Sequence, residues 1–250
     1  MRVESDILTV LSRAETNGNK LFLTGHLDRK MYERTNKVIE AAGGKWDRKA
    51  RAHIFNDEAA TRIDQIILSG EIDVPKNEFN FFPSPPEVVI RIMNAAEIQQ
   101  GMRVLEPSAG KGAIAYACSD AGAIVDCYEL MEANFMALSG DNRLGAVLHV
   151  DFLEQEPNRI YDRVVMNPPF MKQADIKHVC HALRFLKQDG ILVSVMSASV
   201  TFRDNKLTKD FRNIINERGG YIEALPEGAF KISGTMVRSV IVVIPNNLQA

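Results

Sequence analysis

Cysteine is scarce: Cys118, Cys127 and Cys180 are an odd number and form no C-x-x-C pair. That argues against a disulfide scaffold or a zinc knuckle and fits a reducing, cytoplasmic compartment. Long apolar runs are also missing. The longest, Ile191–Val195 and Val240–Ile244, are strand-sized, far below the ~18–20 residues that a bilayer span requires. The opening stretch MRVESDILTV carries acids early and has no secretory hydrophobic region. Neither sign of charge dominates, because 30 Lys and Arg face 32 Asp and Glu for a net charge of −2. The total is therefore silent on a polyanionic partner, and a local basic face stays compatible with it. Internal repeats and low-complexity segments are absent.

What is present is enough apolar side chain for a core. Apolar residues make up 46% and charged residues 25% of 250 residues, which excludes disorder over most of the length. The expected division is a small basic N-terminal α/β domain over 1–75 and a larger domain over 76–250. In the first, a short strand at Leu21–Leu23 precedes a helix capped by Asp28 and ended by Gly43-Gly44. A hairpin through Lys45-Trp46 and His53–Phe55 follows, then a helix over 58–69 ended by Gly70. Pro75 to Pro86 reads as a loop and as the domain boundary. Between Arg29 and Arg51, eight bases stand against three acids. Lys45, Arg48, Lys49 and Arg51 of this stretch are candidate nucleic-acid contacts, with Trp46 and Phe55 beside them.

From Pro86 onward strands and helices alternate. Helices are expected at 86–98, 112–121, 132–139, 173–187 and 206–218. Strands are expected at 103–106, 124–128, 146–149, 163–167, 190–196, 221–225 and 236–244. The alternation predicts an α/β, Rossmann-like, mostly parallel seven-stranded sheet with helices on both faces and an antiparallel C-terminal edge hairpin.

Four places at strand ends carry chemistry. The run Val104-Leu105-Glu106-Pro107-Ser108-Ala109-Gly110-Lys111-Gly112 takes a strand through a glycine turn into a helix. Glycine there permits positive φ and close approach to a ligand. Glu129, 23 residues after Glu106, ends the next strand, where an acid can take both hydroxyls of a ribose. Asp151-Phe152 follows the third strand; its carboxylate can accept from an adenine amine or cap a helix. The sharpest signal is Asn167-Pro168-Pro169-Phe170 after the apolar run Val164–Met166, which opens on two β-branched valines. The prolines cannot donate, so the carbonyls around them are free acceptors, Asn167 adds a side-chain carbonyl, and Phe170 a flat face. Two acceptors and a ring suit a planar heteroaromatic with an exocyclic amine.

On these motifs the chain resembles the class I S-adenosylmethionine-dependent methyltransferases of the amino-methylating branch. The motif order over roughly 80–245 is similar to gamma-type N6-adenine DNA methyltransferases and to modification subunits of type I restriction systems. Their F-x-T-P-like segment stands here as Phe82-Pro83-Ser84-Pro85, with Ser for Thr. The segment Leu225–Phe230, then Thr235 and a Val/Ile strand, is also similar to these enzymes. The resemblance implies S-adenosyl-L-methionine as cofactor, held by Phe82, Ser84, Pro85, Glu106, Ser108, Ala109, Gly110, Gly112, Glu129, Leu130, Asp151, Phe152 and Asn167. It implies catalysis by Asn167, Pro168, Pro169 and Phe170, with DNA adenine as the acceptor. The same tetrad occurs in RNA adenine-N6 and guanine-N2 methyltransferases. A tyrosine form occurs in glutamine methyltransferases, and a non-catalytic nucleic-acid-binding module is a further alternative.

Lys172, Arg203 and Lys206 lie past strand ends at the same rim and are candidate phosphate contacts. His178-Val179-Cys180-His181 offers three candidate metal ligands but no fourth nearby, so no metal site is expected. About 80 residues follow Phe170, and the expected elements consume them. No large target-recognition domain then fits, which leaves low sequence specificity, reading by 1–75, or a specificity subunit. Assembly into homo-oligomers stays open, and no membrane partner is expected.

Overall fold

Continuous β-branched runs account for the larger of two sheets. In the computed structural model, residues 2–72 and 82–247 are described. The larger sheet uses β5 (Arg103–Glu106), β6 (Ile124–Glu129), β7 (Val147–His149), β8 (Tyr161–Met166), β9 (Leu186–Ser197), β10 (Tyr221–Ala224) and β11 (Ser239–Pro245). Their order is β10-β11-β9-β8-β5-β6-β7. β5 to β9 pair in parallel, and β11 runs antiparallel to both β9 and β10. Strands covered on both faces must be apolar throughout, as Val164–Met166 and Val240–Ile244 are. The covering helices are α4 (Pro86–Ala96), α5 (Ala113–Asp120), α6 (Glu132–Leu138), α7 (Ala174–Ala182) and α8 (Lys206–Glu217). One core layer gathers Ile92, Ile114, Cys118 and Val193, and the other gathers Phe152, Val179, Phe185 and Phe211.

A smaller antiparallel sheet, ordered β1-β2-β4-β3, precedes it. It consists of β1 (Glu15–Asn17), β2 (Lys20–Phe22), β3 (Lys45–Asp47) and β4 (Ala52–Ile54). With it go α1 (Ser5–Arg13), α2 (Arg29–Ala41) and α3 (Ala59–Ser69). The Asp28 side chain accepts from the Met31 N–H at 2.8 Å and caps α2. Gly70, at φ +71, ends α3 in the left-handed conformation open to glycine. Leu8, Leu11, Ile39, Ile66 and Phe55 form this unit's own core, and Phe202 from beyond β9 packs against it.

Several expectations shift. α1 and β1 have no counterpart in the sequence reading; β1 is three exposed polar residues without alternation, whereas α1 does carry a helical apolar pattern, with Ile7, Leu8 and Leu11 on its buried face. The helix expected over 173–187 stops as an α-helix at Ala182. β9 then begins at Leu186 rather than 190, since Leu186 pairs with Tyr161 ahead of a register irregularity. The strand expected from 236 begins at Ser239. The residues before it form a loop with a tight turn at Lys231–Ser233. The boundary expected at 75 and most of the expected loop from Pro75 lie outside the described residues.

Candidate active site

The sheet reverses its order at β5: β6 and β7 extend one way, β8 and β9 the other. At such a switch point the loops leaving the carboxyl ends diverge and open a crevice. A cavity of about 140 Å³ lies there. Ser108 after β5, Glu129 and Leu130 at the end of β6, Asp151 and Phe152 after β7, and Asn167 to Phe170 after β8 line it. A smaller cavity of about 30 Å³ is bordered by Ser84, Glu106, Ala109 and Gly110. Phe82, Ser108 and Asn167 border both.

Backbone demands explain the glycine turn. Gly110 and Gly112 have φ of +56° and +82°. A Cβ on Gly112 would come within 2.7 Å of the Leu138 and Tyr116 side chains. Gly112 serves the turn and its packing and borders neither cavity. Pro85 borders neither of them either. It is buried at the N-cap of α4, its carbonyl accepting from the N–H groups of Val88 at 2.9 Å and Val89 at 3.0 Å, outside both cavities.

The three acids differ in how far their oxygens are engaged. Glu129 accepts from the Gly110 N–H at 2.6 Å and the Met131 N–H at 2.7 Å, one bond per oxygen. A carboxylate has about four acceptor positions, so capacity remains toward the cavity. Asp151 accepts from the Leu153 N–H at 2.9 Å through Oδ1 and caps the turn Phe152–Glu154, which is the capping reading, and it lines the larger cavity. Glu106 is 2% exposed, and its Oε2 has no hydrogen-bond partner. Burial pushes its carboxyl well above the usual range, and the charge of Glu129 pushes it further.

Asn167 is oriented by its own neighbours. Its Nδ2 donates to the Phe82 carbonyl and to Ser84 Oγ, both at 3.1 Å. Both N–H bonds of the amide are thereby used, and Oδ1 is left to accept. Phe170 is buried on the cavity wall. Phe230, Thr235 and Val237, from the loop before β11, line the same cavity.

The expected phosphate contacts divide. Arg203 is 6% exposed and ion-paired with Asp64 of α3, so its guanidinium is turned into the protein and away from any phosphate, a correction. Lys172 is exposed with Nζ 3.3 Å from Glu58, and Lys206 is exposed with Nζ 2.5 Å from Asp210. Lys45, Arg48, Lys49 and Arg51 all lie exposed on the hairpin of β3 and β4, with Trp46 49% exposed among them. No ion pair among the described residues involves these four bases.

Sequence reasoning passes over several cavity residues. Val150 and Met131 adjoin expected ones, so proximity is the signal that finds them. His178 stands out in the sequence only as a metal-ligand type. It lines the cavity one turn into α7, 6.0 Å between ring centroids from Phe152. Its Nδ1 bonds the Ala174 carbonyl at 2.8 Å, and burial pushes its pKa down, favouring a neutral ring with Nε2 as acceptor. His181 bonds a different carbonyl, that of Gln155, at 3.0 Å.

The methyltransferase small domain family matches residues 87–222. None of the curated proteins matches this chain. Among solved structures, a protein of Listeria monocytogenes described as a class I S-adenosylmethionine-dependent methyltransferase is similar at 14% identity and TM-score 0.57, over 76% of this chain and 69% of its own. A protein of Vibrio vulnificus described as a modification subunit of a type I restriction enzyme is similar at 12% identity and TM-score 0.58, over 96% of this chain and 60% of its own. One of Pyrococcus horikoshii, described as an RNA methyltransferase, is similar at 19% identity and TM-score 0.52, over 70% of this chain and 92% of its own. At these identities the likeness is one of fold.

Proposed function

Since the chain belongs to the methyltransferase small domain family and is a class I methyltransferase with S-adenosyl-L-methionine as cofactor, we propose that it methylates the exocyclic N6 amine of adenine in DNA, with short or low sequence specificity. The residues present fit the cofactor. The unpartnered Glu106 oxygen in the smaller cavity suits an ammonium group. The spare lone pairs of Glu129 suit ribose hydroxyls, and the second oxygen of Asp151 beside Phe152 suits an adenine amine. When bound, the sulfonium supplies a methyl group that is already electrophilic.

The protein's share is positioning and electrostatics. An aromatic amine is a poor nucleophile because its lone pair is spread into the ring. Asn167 Oδ1 and the Pro168 carbonyl accept its two N–H bonds, which favours a pyramidal nitrogen with its lone pair aimed at the methyl group. Phe170 stacks on the base, worth about 1–3 kcal/mol. The methylated amine sheds its proton readily, so no strong base is required. From a duplex the base must first be extruded, at a few kcal/mol. The exposed basic hairpin supports a polyanionic substrate. The observation carrying this reading is the Asn167 amide, both of whose N–H bonds are taken so that its carbonyl oxygen is presented. Transfer of tritiated methyl to DNA, RNA and protein in parallel tests it: label in DNA as N6-methyladenine is expected, and label only in RNA or protein overturns it.

A further inference from the structure

Asp64 is a buried carboxylate of α3, in the unit built on the smaller sheet, yet it faces the loop that follows Asn167–Phe170. One oxygen accepts from the Lys172 backbone N–H and the other from the Arg203 guanidinium. Lys172 and Gln173 stand at φ of +54° and +57°. Non-glycine residues hold that conformation where their surroundings enforce it. The far side of the loop is held too: Gln173 Oε1 accepts from Asn205 Nδ2 at 2.9 Å and from Thr208 Oγ1 at 2.8 Å. The segment two residues past Phe170 is thus clamped between α3 and the start of α8.

We infer that Asp64 is a positioning residue for methyl transfer: by fixing the Lys172 amide it sets the angle at which the Asn-Pro-Pro-Phe corner meets the acceptor, and it does so from outside the seven-stranded unit. This rests on the proposed role of that corner. A stability role alone makes a different expectation. Asp64 would then matter only as the partner of a buried arginine, and an apolar pair in place of both would restore everything, because such replacements are often neutral or stabilising. In the positioning role the apolar pair restores stability but leaves the Lys172 N–H without its acceptor and the loop loose.

The test compares Asp64→Asn and the double variant Asp64→Leu/Arg203→Leu with the wild-type chain. Three readouts are taken: amide hydrogen exchange over 170–173, cofactor and DNA affinity, and the single-turnover rate of methyl transfer. In the double variant we expect faster exchange and transfer slowed about a hundredfold, as for a misplacement of about 1 Å, with both affinities close to wild type. A folded double variant with wild-type exchange and rate overturns the inference, and so does a slower rate explained wholly by weakened binding. Should the wild-type chain label no nucleic acid, the proposed function fails, and exchange alone then decides: faster exchange over 170–173 supports the clamp and unchanged exchange overturns it.

Discussion

The two units use sequence differently. The seven-stranded unit spends its apolar residues on strands buried on both faces and concentrates its polar chemistry at one rim, on Glu106, Glu129, Asp151 and Asn167. The smaller unit has strands of three residues, a core mostly from its helices, and an outer hairpin whose bases face solvent. In the proposed function the first holds small molecules at a fixed place and the second presents charge, so chemistry and attraction are expected to separate, each disturbed alone.

The largest effect belongs to the rim. Asn167→Ala is expected to cut methyl transfer by about 10²–10³-fold, the range for losing one preorganised polar group at a reacting centre. Cofactor affinity by calorimetry should stay near wild type, since in the proposed role the Asn167 amide serves the acceptor while Glu106, Glu129 and Asp151 keep the cofactor. Asp151→Ala should do the reverse, weakening the cofactor by about 1.5–3 kcal/mol while leaving the rate at saturating cofactor nearly intact. Equal cofactor loss in both would erase the division of roles within the rim.

The hairpin comes next. Alanine at Lys45, Arg48, Lys49 and Arg51 together should weaken duplex binding and flatten the plot of log affinity against log salt by about 0.9 for each phosphate that is no longer neutralised. The saturated rate should not change. A fall in that rate with an unchanged salt slope would mean that the hairpin acts on the chemistry, and the separation between the two units would collapse.

The smallest effect is a pH dependence. Burial holds Glu106 protonated above the usual carboxylate range, and only its ionised form pairs with an ammonium. Cofactor binding should therefore release a proton, and affinity should rise as pH climbs through the raised pKa of the free protein. Glu106→Gln should remove this rise. Calorimetry in buffers of different ionisation enthalpy counts the proton, and an affinity flat with pH in the wild type would contradict the pairing.

The seven-stranded unit is also the more legible one. Runs such as Val164–Met166 and Ile191–Val195 announce buried parallel strands, and acids or asparagine at their carboxyl ends mark most of the cavity lining. β1 escapes because a short polar strand carries no periodic signal, whereas α1 does carry one, in Ile7, Leu8 and Leu11, that the sequence reading passes over. Arg203 is illegible for a different reason: its partner, Asp64, lies 139 positions earlier, and only tertiary packing brings them together. Gly112 and Pro85 belong to a motif without touching its cavities, since motif positions include those that merely bend the chain. His178 shows the converse, a residue with no motif that a helix carries to the cavity wall.

In the proposed function the Asn167 corner directs the methyl group to adenine N6 in DNA. Base-resolved sequencing of methylated DNA from cells expressing the wild-type chain or Asn167→Ala tests it most directly. The expected result is N6-methyladenine with the wild type and background with the variant. Equal marks in both, or methylation confined to another base, would contradict the account.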